Sequence, residues 1–173
     1  MKARYITYPA LFAALTVIGA QINIPIGEVP LTFQTLFVLL SGFILGARMG
    51  FLSQCIYLFM GALGFPVFAG FKGGLVHFFG PTGGYLIAFP ISSFFVGLIA
   101  KQKNLINHFL ASFIGILTIY LLGWLRLGLF MRDFKKAFEV GVAPFVLFDI
   151  IKIGIVVTIV ERLEKVRKKI TSL

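Results

Sequence analysis

Long apolar runs, separated by short polar or Gly/Pro-rich breaks, are the main pattern of this chain. A helix that crosses a bilayer needs about 20 mainly apolar residues, and the turns between such helices carry polar residues, glycine or proline. The pattern predicts six membrane-spanning helices in a single all-α membrane domain over residues 1–173. The predicted spans cover about residues 8–24, 31–47, 50–63, 85–100, 105–125 and 142–160.

Composition strengthens the membrane prediction. Apolar residues make up 59% of the chain and charged residues 13%, about half of the roughly 25% found in soluble domains. A soluble domain of 173 residues could not bury that much apolar surface, and intrinsic disorder requires the opposite composition. The lone cysteine, Cys55, excludes an intrachain disulfide framework and a four-cysteine metal site. We therefore expect a lipid bilayer as the main solvent of the chain.

The net charge of +10 lies mostly in short basic clusters between and after the apolar runs. In membrane proteins such clusters mark the cytoplasmic side. With the N-terminus inside, ten basic residues fall on the inner side and five on the outer side. This distribution predicts that both termini are cytoplasmic and that residues 161–173 form a basic tail there. No basic stripe with interleaved aromatic residues occurs, so nucleic acid is not an expected partner.

Two ionisable residues inside the last predicted span, Asp149 and Lys152, are the clearest candidates for chemistry. They are three residues apart and therefore share one helix face. A charge at membrane depth is costly and normally faces the bundle interior or a water-filled cavity. Together, a carboxylate and an ammonium group accept N–H donors and donate to a carbonyl, which suits a small molecule with an amide or urea group. A structural ion pair that fixes helix packing is the alternative interpretation.

The segment between the third and fourth predicted spans, residues 64–84, combines many glycines and prolines with phenylalanine. A freely solvated loop would not carry its phenylalanines, which are Phe65, Phe68, Phe71, Phe78 and Phe79. Irregular backbone at this depth is tolerated when it is buried or lines a cavity, so we expect a lid or plug folded over the outer end of the bundle. A packing element without a ligand is the alternative. The chain contains no G-x-x-x-x-G-K-[ST] motif and therefore has no P-loop for ATP hydrolysis.

Further hydrogen-bonding residues lie near the outer ends of the predicted spans. Thr32, Gln34 and Thr35 come at the start of the second span, where capping of the helix is the alternative role for Thr32. His77 has no nearby cysteine, aspartate or glutamate in the sequence, so a metal site is not expected. The order of the residues also suggests no nucleophile–base arrangement, and the chain is not expected to be an enzyme.

Five stretches carry a resemblance to a known family. They are 30–42 (PLTFQTLFVLLSG), 61–70 (GALGFPVFAG), the glycine pair 73–74, 80–85 (GPTGGY) and 144–152 (PFVLFDIIK). In this order, and over nearly the whole chain, they resemble the BioY family, the biotin-specific substrate-binding components of energy-coupling-factor (ECF) transporters. The combination is specific, whereas no single stretch would be.

The resemblance implies a six-helix bundle with a vitamin site near the outer surface, closed by the first and third loops. Biotin would be the transported substrate rather than a cofactor. Asp149 would accept a hydrogen bond from a ureido N–H of biotin, while Lys152 donates to an adjacent oxygen. The other substrate-binding residues implied in this way are Thr32, Gln34, Phe71, Gly73, Gly74, Gly84 and Tyr85. For the valerate carboxylate of biotin, Lys72 and Arg126 are the candidates.

The resemblance also implies partners and a location. Active uptake would require a transmembrane coupling subunit and two ATPase subunits, in the cell membrane of a bacterium or archaeon. Ala10 and Ala14 match the Ala-x-x-x-Ala spacing with which the first helix of related components docks on the coupling subunit. Two departures from the family pattern are His77, where a small or apolar residue is expected, and the basic stretch 132–136. A stand-alone biotin facilitator, a component for another vitamin and a structural membrane protein stay open as alternatives.

Overall fold

A computed structural model describes residues 4–25, 27–101 and 104–171, and most of them are helical. The helices are α1 (Arg4–Gln21), α2 (Gln34–Leu45), α3 (Ala47–Ala62), α4 (Val76–Phe79), α5 (Gly83–Ile99), α6 (Leu105–Met131), α7 (Phe134–Gly141) and α8 (Val146–Thr171). Two short strands, β1 (Asn23–Ile24) and β2 (Leu31–Thr32), pair antiparallel in the connection between α1 and α2. Because α4 and α7 are short, the described part of the chain has six longer helices.

The six longer helices follow the six predicted spans in order, but their ends differ. α6 continues to Met131, beyond the predicted end near residue 125, and α7 follows shortly after it. The connection between the fifth and sixth predicted spans, residues 126–141, is therefore largely helical, because a helix satisfies its own backbone hydrogen bonds and need not end where the apolar run ends. α8 begins at Val146 and continues through the predicted basic tail to Thr171, and residues 172–173 lie outside the described part.

The helices differ in whether they are long enough to cross a membrane. Among the described residues, α6 is long and apolar enough by itself to cross a membrane, with 27 residues. α7 and α8 are a second candidate if the pair is taken as one span bent by 49°. α2 has 12 residues, or about 18 Å at about 1.5 Å per residue, against a hydrocarbon core of about 30 Å. The six-span topology and the orientation of the termini therefore stay predictions.

α5 lies at the centre of the bundle and packs against α2, α3 and α6. Small residues make these approaches close. A Cβ atom added at Gly42 would lie 2.5 Å from the carbonyl oxygen of Ser93, and one at Gly84 would lie 2.2 Å from that of Leu122. Such close helix contacts at small residues are typical of membrane bundles. They hold α2, α5 and α6 at fixed positions around the cavity described below.

The outer surface of the bundle is strongly apolar. Ile6, Ile106, Phe113 and Leu129 are each more than half exposed, and many other large apolar side chains are exposed as well. Soluble proteins rarely expose continuous apolar surface on this scale. The chain is a membrane protein, in agreement with the prediction from its composition.

Residues 65–82, termed the lid segment, fold over one end of the bundle and contain α4. Phe68 is 4% exposed and inserts into the hydrophobic core. Phe65, Phe71 and Phe79 of the same segment are more than half exposed, so only part of its aromatic surface is buried. The reason is geometric, since a segment spread over the bundle turns only one side of its backbone inward.

Candidate ligand-binding site

A cavity of about 400 Å³ lies between the lid segment and the helix bundle. The apolar part of its wall includes Phe68, Leu86, Phe89, Ile119 and Phe145. The polar part includes Glu28, Thr32, Gln34, Thr35, Lys72, His77, Tyr85, Tyr120, Asp149 and Lys152. Small-molecule sites have volumes of about 300–1,000 Å³ and combine an apolar wall with a few polar groups, so this cavity has the size and lining of such a site.

Asp149 and Lys152 lie on one face of α8 near its start, as their spacing predicted. Lys152 Nζ is 2.7 Å from Asp149 Oδ1, and both side chains are buried. Both residues border the cavity. Removing one partner of such a buried pair leaves an uncompensated charge, which destabilises a protein by about 3–5 kcal/mol. The pair therefore provides a strongly polar group in the wall of the cavity.

Two hydroxyl groups bind this pair from neighbouring helices. Thr35, in the first turn of α2, donates to Asp149 Oδ1 at 3.3 Å, and its oxygen accepts from Lys152 Nζ at 3.0 Å. The hydroxyl of Tyr120, in α6, donates to Asp149 Oδ2. The carboxylate is thus held from three helices, α2, α6 and α8, which fixes its orientation beside the cavity.

The pair retains hydrogen-bonding capacity after these contacts. A carboxylate has about four lone-pair sites, and this one accepts from Thr35, Tyr120 and Lys152. An ammonium group has three protons, and that of Lys152 donates to Asp149 and Thr35. At least one acceptor site and one donor proton therefore stay available for a bound molecule.

Gln34 begins α2 and belongs to a second polar chain along the cavity wall. Thr32 Oγ1 donates to Gln34 Oε1 at 2.9 Å, and Gln34 Nε2 donates to the Tyr57 hydroxyl at 2.5 Å. That hydroxyl donates to the carbonyl oxygen of Val67, in the lid segment, at 3.3 Å. Thr32 Oγ1 also accepts from the backbone N–H of Gln34 at 3.3 Å, a local capping contact, although the N-cap position itself is Phe33. The chain links the cavity wall to the lid.

Tyr85 lies in the first turn of α5 and is buried. Its hydroxyl donates to the carbonyl oxygen of Gly141, at the end of α7, at 2.7 Å. Its ring packs so closely against α6 that a Cβ atom added at Gly123 would lie 2.2 Å from a ring carbon. Tyr85 therefore borders the cavity as a rigid aromatic wall.

The other predicted binding residues of this region lie outside the described cavity wall. Phe71 is 72% exposed, and its backbone is left-handed with φ of 56°. A Cβ atom on Gly73 would lie 2.2 Å from the carbonyl oxygen of Phe65, and Gly74 has a φ of 106°, which favours glycine. Gly84 packs against α6. The three glycines thus have roles in packing or in the backbone path, and a substrate contact stays a prediction for all four residues.

Charged residues surround the mouth of the cavity. Glu28 and Lys72 are exposed and border the cavity, and His77 borders it as well. Arg126 lies outside the wall, and its guanidinium donates to the carbonyl oxygen of Phe79 in the lid segment. Of the two residues predicted to meet a ligand carboxylate, Lys72 is therefore the one that borders the cavity. Within the described ranges, no group of three or more His, Cys, Asp or Glu side chains is placed to hold a metal ion.

Ala10 and Ala14, the predicted docking residues, are both exposed on α1. With Ile6 and Ile18 they form a stripe of exposed residues spaced by four along the helix. This spacing places them on one helix face. The stripe is a small, apolar outer surface, and its contact with a partner protein stays a prediction.

Tyr120 and Tyr57 are site residues that sequence reasoning missed. Both lie in apolar runs, where a tyrosine is ordinarily assigned to the core or to the aromatic belt of the membrane interface. The phenol hydroxyl could have identified them, because a buried tyrosine usually hydrogen-bonds a polar partner. The sequence offered two such partners, Asp149 and Gln34.

The chain is similar to proteins of known name over nearly its whole length. The model of the BioY family matches residues 1–169. The chain is 53% identical over 164 residues to the probable biotin transporter BioY of Pyrococcus horikoshii, which covers 95% of this chain and 98% of the relative. It is 45% identical over 163 residues to the biotin transporter BioY of Thermotoga maritima, which covers 94% of this chain and 96% of the relative.

The fold is also similar to a solved structure. The crystal structure of the S-component for biotin from an ECF-type ABC transporter matches with a TM-score of 0.86 at 28% sequence identity. The match covers 95% of this chain and 92% of that chain. The similarity therefore extends over the whole helical bundle.

Proposed function

Because the chain belongs to the BioY family, we propose that it is the biotin-binding membrane component, or S component, of an ECF-type importer. The observation that carries this proposal is the buried Asp149–Lys152 pair beside a cavity of about 400 Å³. The relatives at 53% and 45% identity are named biotin transporters, which supports biotin as the substrate. The proposal includes no enzymatic step and no cofactor.

Biotin offers three kinds of chemical group to this cavity. Its ureido ring has two N–H donors and a carbonyl oxygen, its thiophane ring is apolar, and its valerate chain ends in a carboxylate. The ureido ring binds at the ion pair in this proposal, with an N–H donating to Asp149 and the carbonyl accepting from Lys152. Thr35 and Tyr120 already hold the carboxylate, so binding needs little reorganisation. The apolar wall encloses the thiophane ring.

The valerate carboxylate lies near Lys72 in this arrangement, because Lys72 borders the mouth of the cavity and is exposed. An exposed ion pair contributes about 0–1 kcal/mol, so Lys72 adds less to affinity than the buried pair does. Gln34, Thr32 and Tyr85 border the same cavity and are proposed as further contacts of the bound molecule.

The proposed topology has six membrane spans in one domain, with both termini in the cytoplasm and the cavity at the outer face. The six longer helices and the apolar outer surface support the number of spans. The excess of basic residues on one side supports the orientation. The proposed location is the cell membrane of a bacterium or archaeon, as a multi-pass protein.

Equilibrium binding of labelled biotin to the purified chain in detergent tests the substrate. The same measurement is made on Asp149→Asn and Lys152→Ala, and each variant is checked for folding by thermal unfolding. Binding by the wild type that both folded variants lose is the expected result. A folded wild type that binds no biotin would contradict the proposal and favour a purely structural ion pair.

We propose that a transmembrane coupling subunit and two ATPase subunits drive uptake, with the exposed Ala10 and Ala14 stripe as the docking surface. The variant Ala14→Trp places a bulky side chain on this surface, outside the cavity wall, and Ile106→Trp is a control on the exposed face of α6. We expect Ala14→Trp to retain biotin binding and to lose biotin uptake in cells that contain the module. Uptake that is unchanged would contradict this docking surface.

A further inference from the structure

The side chain of Gln21, the last residue of α1, binds the lid segment through both ends of its amide. Nε2 donates to the carbonyl oxygens of Phe68 at 3.2 Å and Val67 at 3.4 Å. Oε1 accepts from the backbone N–H of Phe71 at 3.0 Å. Nε2 also donates within α1 to the carbonyl oxygen of Val17 at 3.4 Å. One side chain thus links the end of α1 to three residues of the lid.

The part of the lid that Gln21 holds is a tight turn, residues 68–72, termed the lid turn. The backbone N–H of Phe68 donates to the carbonyl oxygen of Lys72 at 2.8 Å, and the reverse bond is 3.3 Å. Near the tip, Gly70 and Phe71 have left-handed backbone, with φ of 72° and 56°. This conformation is unfavourable for a residue with a Cβ atom, so the bond from Phe71 N–H to Gln21 helps to hold a strained turn.

The lid turn carries two residues of the cavity wall, Phe68 and Lys72. Phe68 packs so tightly that a Cβ atom added at Gly61 would lie 2.0 Å from its ring. Lys72 lies at the mouth and is exposed. The position of the lid turn therefore decides whether the cavity is covered.

A second anchor reaches the same backbone from the cavity side. The carbonyl oxygen of Val67 accepts from the Tyr57 hydroxyl as well as from Gln21, and Tyr57 accepts from Gln34. Gln34 borders the cavity, whereas Gln21 lies outside the wall as far as the structure describes it. A substitution of Gln21 therefore loosens the lid turn without removing a side chain from the cavity wall.

We infer that Gln21 is a positioning residue that keeps the lid turn closed over the cavity and slows the escape of a bound ligand. The inference rests on the proposed function for the identity of the ligand, biotin. The inference also connects the position of α1 to that of the lid turn. Gln21 lies on the same helix as the exposed stripe of Ala10 and Ala14, so a displacement of α1 reaches the lid turn through this amide.

The test compares the dissociation rate of labelled biotin from the wild type and from variants of the full chain. Gln21→Leu removes the donors and the acceptor at similar volume, and we expect dissociation about tenfold faster, which corresponds to about one net hydrogen bond. Gln21→Glu retains an acceptor for Phe71 N–H but has no donor for the two carbonyl oxygens, so it is expected to dissociate as fast as Gln21→Leu. Asn23→Ala is the matched control, because the Asn23 amide donates to the backbone of Ala20 and Gln21 rather than to the lid.

The control is expected to keep the wild-type rate. Gln21→Leu with a wild-type rate would overturn the inference. Gln21→Glu with a wild-type rate would overturn the role of the two donor bonds.

A second readout separates this inference from the proposed function. Hydrogen–deuterium exchange of residues 65–74 is measured in the ligand-free protein, with α6 as the internal reference. Faster exchange in Gln21→Leu, and not in Asn23→Ala, is expected. If the wild type bound no biotin while the variant still exchanged faster, the ligand assignment would fail and the lid role would stand. Unchanged exchange in Gln21→Leu would overturn the role of Gln21 whatever the ligand is.

Discussion

Helix α8 carries two polar contacts that involve α6, and the surroundings of the two contacts are different. Near the start of α8, Asp149 pairs with Lys152 at 2.7 Å and accepts from Tyr120 of α6. Further along α8, Glu161 Oε1 lies 2.8 Å from His108 Nδ1 at the start of α6. Both contacts use ionisable side chains, which are expensive inside a membrane.

His108 is packed among other side chains, whereas the Asp149–Lys152 pair borders the cavity. The ring of His108 is 1% exposed and packs edge-on against Phe43, with centroids 5.6 Å apart. Its Nε2 is 3.9 Å from Glu164 Oε1 and has no hydrogen-bond partner within the described part of the chain. Glu161 is 31% exposed and reaches the surface. Burial of an ionisable side chain therefore does not by itself indicate a ligand, but a buried ion pair with spare bonding capacity beside a cavity does.

The largest expected effect comes from Asp149→Asn, which leaves Lys152 without its counter-ion. We expect biotin affinity to fall by about 30-fold to several thousandfold, because truncating one partner of a buried charge pair in a binding site costs about 2–5 kcal/mol. Isothermal titration calorimetry on the folded variant measures the change. An affinity close to that of the wild type would contradict the proposal that the Asp149–Lys152 pair binds biotin.

A smaller loss is expected for Tyr120→Phe, which removes the donor to Asp149 Oδ2. Biotin affinity is expected to fall about tenfold, the effect of about one hydrogen bond to a charged group. Tyr8→Phe, at a half-exposed tyrosine of α1, is the matched control. If Tyr120 acts through the carboxylate, its substitution has little further effect in the Asp149→Asn background. Full additivity of the two changes would contradict this coupling.

Lys72→Ala is expected to have a still smaller effect, about fivefold or less, because an exposed ion pair contributes at most about 1 kcal/mol. Titration with biotin and with its neutral primary amide measures the effect on each ligand. The variant is expected to bind the acid more weakly and the amide as the wild type does. An equal loss for both ligands would show that Lys72 does not pair with the carboxylate.

The smallest effect on binding is expected for His108→Gln, at the packed contact. Biotin affinity is expected to stay unchanged, while the thermal unfolding midpoint falls by a few degrees because the hydrogen bond to the partly exposed Glu161 is lost. Calorimetric titration and a thermal scan on the same preparation give both quantities. A loss of affinity as large as that of Asp149→Asn would remove the distinction between the two contacts.

Sequence reasoning placed the ion pair because its signal is local. Asp149 and Lys152 stand three residues apart in an apolar run, and Gln34 stands at the start of another. The tyrosines that hydrogen-bond Asp149 and Gln34 were not predictable from local spacing. Tyr120 lies 29 residues before Asp149 along the chain, and Tyr57 lies 23 residues after Gln34. A local sequence pattern does not show which distant hydroxyl binds which polar group.

The lid segment shows a second limit. Its composition predicted a fold-back over the bundle, but it did not show that Phe68 is buried and that Phe71, in a left-handed turn with Gly70, is exposed. The role of a glycine is equally difficult to predict from the sequence. A glycine that allows close backbone packing, as Gly73 and Gly84 do, has the same sequence signal as a glycine beside a ligand.

The most direct test of the central claim is the thermal unfolding midpoint of the wild type, Asp149→Asn and His108→Gln, each with and without saturating biotin. A ligand that binds the native state raises the midpoint by mass action. We predict that biotin, at a concentration that saturates the wild type, raises the midpoint of the wild type and of His108→Gln, and raises that of Asp149→Asn much less because this variant binds biotin more weakly. A folded wild type without a shift, or an Asp149→Asn shift equal to that of the wild type, would contradict the assignment of the ligand site to the cavity-bordering pair.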